Sequence, residues 1–339
     1  LSYKISFCIV CMNRLSHIKE TLLKNIEDNI SYEKLEFILL DYNSSDGLEE
    51  WVKSKLTKYI DNGILRYHRT SEPKSFHRSH SRNVALKLGS GDILCNLDAD
   101  NFLGNDFASY VNYNFSFNKD VFLTSGFKNG SYGKICVKKE HFLKIKGYDE
   151  RMSGWGYEDD DLYFRLNLLG INQVNFFEKE FTEFIDHPLE DSFKNDKNIS
   201  NITNILINRI SQNKTDLIFL LSDGKFKYVS VSRQNDLIFE DPKLEKPMEQ
   251  GKYQLLNNLL DLHFKSETRK KLVLTKHQNS FISDDLKFHS LTDEILINWL
   301  KILLTSLENK ALFTNKKNEK EIISNKSIWG ETVLETFML

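Results

Sequence analysis

The sequence predicts an α/β fold whose first half forms a wound, mostly parallel sheet. Apolar runs of strand length alternate with amphipathic helix patterns from residue 5 to residue 97. Strands joined by helices of this length pair in parallel through right-handed crossovers. Of the 339 residues, 40% are hydrophobic and 12% are aromatic, which is enough for a packed core. A chain of this size forms one large domain or two ordinary ones.

The first half divides into four strands and three helices. Ser16 is expected to cap the first helix, because a side-chain oxygen at this position accepts a hydrogen bond from the first turn. The strands are predicted at residues 5–10, 35–40, 64–68 and 92–97, and the helices at residues 16–29, 48–60 and 79–88.

The pattern changes beyond about residue 188, where Asn, Lys and Ser become more frequent. We predict a mainly helical region there, with a linker at residues 241–247 and a charged, mobile tail at residues 316–326. The two domains would be residues 1–190 and residues 191–339, and no catalytic group is expected in the second. The region's helices are predicted at residues 199–210, 253–264 and 291–307, and its two short strands at residues 217–221 and 226–231.

Charge and cysteine content narrow the class of protein. The formal net charge is only −2, so no overall field favours nucleic acid. The four cysteines are scattered, and we interpret them as reduced thiols of a cytosolic protein. No apolar run approaches 18 residues, so we expect a cytoplasmic protein, with peripheral contact to the inner face of the membrane left open. The cysteines are Cys8, Cys11, Cys95 and Cys136.

Polar side chains follow three of the predicted strands. Asn13 and Arg14 come after the first strand, Asp41 after the second, and Asp98 and Asp100 after the fourth. In wound sheets, ligands bind beyond the carboxyl ends of the strands. The sequence therefore predicts one binding site at this edge of the sheet.

A second motif, the acidic signature, covers residues 154–161 with the sequence GWGYEDDD. Its four consecutive carboxylates begin an apolar-periodic helix, where the positive end of the helix dipole favours them. Trp155 lies between two glycines, which allow unusual backbone angles. A flat aromatic surface beside carboxylates suits binding a sugar and accepting a proton from its hydroxyl.

These motifs resemble known glycosyltransferases over roughly residues 3 to 190. Residues 5–14, 41–46, 81–85 and 97–100 are similar to family 2 glycosyltransferases, and the acidic signature resembles that of the β-1,4-galactosyltransferase group. Bacterial chondroitin-type polymerases combine both features. The resemblance implies a GT-A fold and inverting transfer of a sugar from a UDP donor.

The resemblance also implies a divalent cation, Mn²⁺ or Mg²⁺, that neutralises the leaving diphosphate. Asp100 would bind the metal directly, and Asp98 would hold the donor ribose or the metal's water shell. His187 lies close to the position of a metal-binding histidine in the galactosyltransferases. Phe184 stands where the animal enzymes have a thioether ligand, and because Phe cannot coordinate a metal, the metal site is expected to be weaker or less selective than theirs.

The remaining roles concern the base and the sugar. Asp159 matches the family's general base, and Glu158 and Asp160 would orient sugar hydroxyls. Trp155 would pack against a sugar face. Tyr157 stands where the animal enzymes have a small residue, so their acceptor and donor preferences are not carried over to this chain.

Asn13 is expected to contact the nucleotide sugar, and Asp41 is expected to accept a hydrogen bond from a ring N–H of uracil. Arg14 and Arg82 are candidates for contacting the phosphates or for orienting carboxylates. A basic cluster before the third helix could also face the diphosphate; it consists of His77, Arg78 and His80.

The leading hypothesis is a metal-dependent enzyme that transfers Gal, GalNAc, Glc or GlcNAc from UDP to a carbohydrate or glycolipid acceptor in bacterial surface polysaccharide synthesis. A sugar nucleotidyltransferase is an alternative, but it would need a Gly-rich phosphate loop after the first strand, and residues 11–14 are not Gly-rich. A non-catalytic carbohydrate-binding or nucleotide-binding module is the third. Homo-oligomerisation is left open, and no nucleic-acid partner is expected.

Overall fold

The computed structural model describes residues 2–188, 191, 193–232, 243–266 and 269–336. Its contacts divide the chain into two units, Leu1–Asp196 with Ser306–Leu339, and Lys197–Thr305. This division differs from the predicted second domain at residues 191–339, because the chain from residue 306 onward packs with the first unit.

The first unit contains an eight-stranded mixed sheet with the order β17-β3-β2-β1-β4-β6-β5-β7. The central strands β3, β2, β1 and β4 are parallel, and β6 and β17 are antiparallel to their neighbours. The wound α/β sheet predicted for the first half is therefore confirmed. The strands are β1 Ile5–Cys11, β2 Leu35–Tyr42, β3 Leu65–Thr70, β4 Ile93–Asp98, β5 Val121–Ser125, β6 Ile135–Lys138, β7 Asn172–Phe176 and β17 Glu335–Thr336.

Helices cover the sheet, and their starts differ in detail from the prediction. Ser16 does not cap the first helix: the capping position is Arg14, and the Leu15 amide donates to Asp46 Oδ2 at 2.8 Å. The predicted helix at residues 48–60 is divided in two at Leu56. The helices are α1 Leu15–Glu27, α2 Leu48–Lys55, α3 Thr57–Asp61, α4 Arg78–Leu88, α5 Phe107–Phe117, α6 Lys139–Lys144 and α7 Glu158–Leu168, followed by a 3₁₀ turn at Lys179–Thr182.

The buried apolar side chains of the first unit form two clusters. Successive residues of the central strands β1 and β2 pack alternately into one cluster and the other. On β1, Phe7 and Ile9 belong to one cluster and Cys8 to the other. The same alternation occurs on β2, with Phe37 in the first and Ile38 in the second. This is the period of two that a strand covered on both faces requires. All four cysteines are free and buried.

The second unit is built mainly from antiparallel strands, so the prediction of a mainly helical region is wrong. Its sheet has the order β11-β10-β12-β13-β14-β15-β16-β8-β9, and β9 also pairs with β10, which closes the sheet into a ring. The strands are β8 Ile202–Arg209, β9 Lys214–Leu221, β10 Lys225–Ser232, β11 Lys243–Leu244, β12 Glu249–Leu256, β13 Leu259–Phe264, β14 Lys271–His277, β15 Ser280–Ile282 and β16 Lys287–Ser290.

Two predicted helices of this region are strands for identifiable reasons. Residues 253–264 form a hairpin, because the chain turns at Asn257, whose φ of 51° breaks the helical pattern. Residues 202–207 contain alternating β-branched side chains, which favour a strand. The two predicted strands are confirmed as β9 and β10. The helices of this part of the chain are α8 Lys197–Ser200 and α9 Glu294–Glu319, the latter beginning within the third predicted helix.

The predicted mobile tail begins with an ordered residue: Lys316 lies in α9 and is 2% exposed. Of the predicted linker, residues 241 and 242 lie outside the described residues, and Lys243–Leu244 form β11. None of the helices in the described part of the chain combines the length and apolar character needed to cross a membrane.

Candidate active site

A cavity of about 680 Å³ lies at the carboxyl ends of β1 and β4. This volume is within the range of cavities that bind small molecules. Its wall includes parts of residues 10–17 after β1, 98–100 after β4, 128–133 before β6, 155–160 at the start of α7 and 184–187 after the 3₁₀ turn. The cavity thus brings the Asp-x-Asp motif and the acidic signature to one place.

Arg82 on α4 joins these two motifs. Its Nη1 donates to Asp159 Oδ1 at 2.9 Å, and its Nη2 donates to the two carboxylate oxygens of Asp98 at 3.0 and 3.1 Å. Arg82 is only 3% exposed, and its planar fork is suited to holding two carboxylates at once. Of its two predicted roles, orienting carboxylates is the one that matches these contacts.

The four acids of the acidic signature divide between the cavity and the core. Glu158, Asp159 and Asp160 line the cavity, whereas Asp161 is fully buried. Glu158 Oε1 lies 3.3 Å from Arg78 Nε, and Asp160 Oδ1 accepts a hydrogen bond from Tyr132 at 2.7 Å. Each cavity-lining acid therefore has its own polar partner.

Asp161 belongs to a buried ionic network that sequence reasoning missed. It accepts from Arg165 Nε at 2.8 Å and from Lys316 Nζ at 2.7 Å. Lys316 Nζ also lies 2.7 Å from Asp149 Oδ2. The Asp161–Arg165 spacing of four residues was a visible signal for the first contact, but nothing in the sequence pointed to Lys316.

The surroundings of Asp159 suit a group that exchanges protons near neutral pH. Burial raises the pKa of its carboxyl to about 7, against the lowering effect of Arg82 and with a further raising effect from Glu158 and Asp98. A catalytic base is most effective when its pKa lies near the operating pH.

Asp100 and His187 are in direct contact. The distance between Asp100 Oδ2 and His187 Nε2 is 2.9 Å, and Asn101 Nδ2 donates to the other oxygen at 2.7 Å. Burial raises the pKa of Asp100, but these hydrogen bonds outweigh it and the net shift is downward. The hydrogen bond to Asp100 raises the pKa of His187. Phe184 lines the cavity beside this pair and forms a backbone bridge with Asn101.

The Asp100–His187 pair fits part of a divalent cation site. A carboxylate and an imidazole are suitable ligands for Mn²⁺. No group of three or more His, Cys, Asp or Glu side chains that could hold a metal occurs among the described residues.

Asp41 and Asn13 are placed beside the cavity wall rather than in it. Asp41 is 1% exposed, and its two oxygens accept from the Ser44 amide and from the Tyr67 hydroxyl, both at 2.7 Å. The Asn13 side chain bonds to the Ser45 amide at 2.8 Å and to Asn195 at 3.1 Å. These contacts shape the loops after β1 and β2. The predicted contact of Asp41 with uracil stays a prediction, without direct geometric support.

Arg14 and Trp155 both line the cavity. Arg14 also donates to the backbone carbonyl of Asp191. The Arg78 guanidinium lies over the Trp155 ring, 4.7 Å from its centroid. Arg78, a member of the predicted basic cluster, therefore lines the cavity.

The two histidines of that cluster have structural contacts instead. His77 accepts from the amide of His80 at 3.3 Å and caps α4, and His80 bonds to the Tyr42 hydroxyl at 2.8 Å. Neither histidine is part of the cavity wall.

Lys134 is a second buried group that sequence reasoning missed. It is 1% exposed, and its Nζ donates to the carbonyls of Phe102 at 2.6 Å and Phe181 at 2.5 Å. Burial lowers its pKa to about 7. Lys134 joins the segment that follows Asp100 to the segment that leads to His187, so it supports the spacing of that pair.

Comparison with known proteins identifies relatives for part of the chain. The family described as the N-terminal domain of galactosyltransferase matches residues 125–188. β-1,4-Galactosyltransferase 4 of Mus musculus is 32% identical over 122 residues, covering 32% of this chain and 34% of the relative. The Homo sapiens protein of the same name is 33% identical over 118 residues, with the same coverage. The match therefore spans about a third of the length of these relatives.

The predicted resemblance to the β-1,4-galactosyltransferase group is thus confirmed over this part of the chain, which includes the acidic signature and His187. Among solved structures, a mannosyltransferase of Pyrobaculum calidifontis in complex with GDP-mannose and Mn²⁺ has a TM-score of 0.45 and 17% identity. That similarity covers 52% of this chain and 56% of the mannosyltransferase, and at this TM-score it does not bear on function.

Proposed function

We propose that this chain is a glycosyltransferase that transfers a sugar from a UDP donor to a carbohydrate acceptor with inversion at the anomeric carbon. The main support for this proposal is the pair of contacts by which Arg82 bridges Asp98 and Asp159. These contacts hold the Asp-x-Asp motif and the acidic signature around one cavity. The match to the galactosyltransferase family over residues 125–188 adds support.

In this reaction an acceptor hydroxyl attacks the anomeric carbon while the bond from that carbon to the diphosphate breaks. The hydroxyl proton passes to a base, and the electron pair of the broken bond leaves with UDP. Asp159 is the proposed base, since it lines the cavity and its pKa is raised to about 7. Arg82 holds one of its oxygens at 2.9 Å and thereby orients the carboxylate.

The other cavity groups have supporting roles. Trp155 offers an aromatic face to a sugar ring, and Glu158 and Asp160 offer carboxylates to sugar hydroxyls. Arg14 and Arg78 add positive charge at the cavity wall, where a diphosphate would bind.

Asp100 and His187 would hold a divalent cation, Mn²⁺ or Mg²⁺, which would neutralise the diphosphate as it leaves. The imidazole of His187 favours Mn²⁺ over Mg²⁺.

The transferred sugar is proposed to be Gal, GalNAc, Glc or GlcNAc, and the biological role to be bacterial surface polysaccharide synthesis. A screen of the four UDP-sugars tests this. The acceptors are methyl β-glycosides of glucose, galactose and their N-acetylamino forms, and UDP release is the readout. Acceptor-dependent release identifies a transferase, whereas a sugar nucleotidyltransferase would instead form UDP-sugar from UTP. A binding module would release nothing.

The same assay tests the cation. Release should stop in EDTA and return with Mn²⁺. His187→Ala should weaken UDP binding in Mn²⁺ by at least the roughly 10–100-fold that loss of an outer-shell partner costs a metal site. Exposed His263→Ala is the control, since that residue lies in β13 of the other unit. Equal UDP affinity in EDTA and in Mn²⁺, measured by calorimetry, would remove the cation from the proposal.

A further inference from the structure

One face of α9 contacts the acidic signature and the loop before it. The face consists of Ser306, Asn309, Phe313 and Lys316, whose spacings of three, four and three residues place them on one side of a helix. All four belong to the first unit. They lie outside residues 125–188, where the galactosyltransferase family matches.

Asn309 makes the most specific of these contacts. Its Nδ2 donates to the Ser153 carbonyl at 3.1 Å and to the Gly156 carbonyl at 2.8 Å. Both amide hydrogens are therefore used on backbone carbonyls that flank Trp155. Asn309 is 2% exposed, so these bonds form away from water.

The other three residues extend the contact on either side. Ser306 lies against Gly156, where an added Cβ would come within 3.1 Å of the Ser306 hydroxyl. The Phe313 ring lies 5.8 Å from the ring of Tyr157, between centroids. Lys316 holds Asp161, as described above. Together they contact the segment from residue 153 to the first turn of α7.

This segment needs external support because its backbone is unusual. Gly154, Gly156 and Tyr157 have φ values of 76°, 97° and 68°. The left-handed region is unfavourable for Tyr157, which has a Cβ, and such conformations persist only where the surroundings hold them. Trp155 lies within this run, so its orientation depends on the same support.

We propose that Asn309 is a positioning residue that holds Trp155 and, through the start of α7, Asp159 in the arrangement that sugar transfer requires. This inference rests on the function proposed above. It adds a requirement for the chain beyond residue 305, from which no catalytic group was expected. In physical terms, two hydrogen bonds from a buried amide select one conformation of a strained loop.

The test replaces the donor amide without changing its size. Asn309→Asp removes both N–H donors and places oxygen opposite two carbonyls. Asn315→Asp is the matched control, because it makes the same change at an exposed position of the same helix. If Asn309→Asp fails to fold, as judged by circular dichroism, Asn309→Ala removes the donors without adding charge.

Three measurements separate positioning from general stability. Amide hydrogen exchange in residues 153–158 should become at least about tenfold faster in the Asn309 variant, while exchange in β1 and β2 stays unchanged. The UDP dissociation constant should stay within about twofold of the parent's. Acceptor-dependent UDP release should fall by about 10–100-fold, as expected for a misplaced reacting group.

Three results would overturn the proposal in a parent protein that transfers sugar. The first is unchanged exchange in residues 153–158, and the second is faster exchange there with unchanged transfer. Loss of UDP affinity in parallel with transfer would also overturn it, because the effect would then not be confined to the acceptor side. A parent that neither binds UDP nor transfers sugar fails the proposed function itself, and this inference with it.

Discussion

Asp159 and Asp161 lie two residues apart in the first turn of α7, yet they have opposite surroundings. Asp159 lines the cavity with one oxygen on Arg82, whereas Asp161 is fully buried between Arg165 and Lys316. The difference shows that one acidic run can serve two purposes. The side of the turn that faces the cavity carries the proposed base, and the side that faces the core anchors the helix through Arg165 and Lys316.

Asp159→Asn is expected to have the largest effect on the reaction. It keeps the size of the side chain but removes the proposed base, so transfer should fall by the ~10²–10⁴ typical of a lost general base. UDP-sugar affinity should stay within a few-fold of the parent's, since the proposed diphosphate and cation contacts, such as Arg14, Asp100 and His187, lie outside α7. Kinetics of UDP release together with calorimetry would check this. Near-normal transfer would move the base to Glu158 or Asp160.

Asp161→Asn should instead affect mainly the stability of the protein. It leaves the buried cations Arg165 and Lys316 with incomplete partners, which should lower the free energy of unfolding by about 3–5 kcal/mol. Urea denaturation of the two Asp→Asn variants side by side is the measurement, with each serving as control for the other. If Asp159→Asn is destabilised as much as Asp161→Asn, the proposed division of roles within the turn is wrong.

The pH dependence of transfer tests the role assigned to Asp159 in this comparison. The pKa of Asp159 is raised to about 7, so transfer should rise with pH and level off above this value, where the carboxylate can accept a proton. Arg82 favours the charged form, so Arg82→Met should move the rising limb to higher pH by about one unit or more. The profile of kcat/KM against pH measures both. A limb that moves to lower pH in the variant would contradict the assignment.

The stability contribution of Asp159 has the opposite sign to that of an ordinary paired acid. Its folded-state pKa of about 7 lies above the usual 3.8, so the folded protein binds more protons between these values. This carboxyl alone therefore makes the protein less stable as pH rises through that window.

Asp41→Asn should have the smallest effect. Its two oxygens accept from Ser44 and Tyr67, and an amide in place of the carboxylate leaves one of these donors without an acceptor, so the change should lower the free energy of unfolding by about 1–3 kcal/mol. If those bonds are its whole role, UDP and CDP should bind the variant and the parent with the same ratio of affinities. A lost preference for UDP would restore Asp41 as the uracil contact.

The sequence predicted the first half of the fold well because its signals are local. Strand and helix patterns repeat in short segments, and parallel pairing follows from their order. The second unit was missed because leucine-rich segments such as residues 253–264 fit a helix as well as a strand. Only the turn at Asn257 decides between them.

The candidate site was likewise predicted only where local sequence signals or the resemblance indicated its residues. Strand ends indicated Asp98 and Asp100, and resemblance indicated Asp159 and His187. The bonds of Lys134 and Lys316 join segments far apart in the chain, and a lysine in a polar stretch gives no sign that it will be buried.

The pairing of β17 with β3 has a consequence for how the chain folds during synthesis. The hydrogen bond between His68 and Thr336 joins residues 268 positions apart. All of Lys197–Thr305 is made before the residues from Ser306 onward, including the edge strand β17, can reach the first unit. At usual rates of translation this interval lasts roughly 5–20 s, during which Asp149 and Asp161 lack Lys316. The first unit would therefore be completed last, after synthesis of the strand ring whose residues lie between its two segments in the chain.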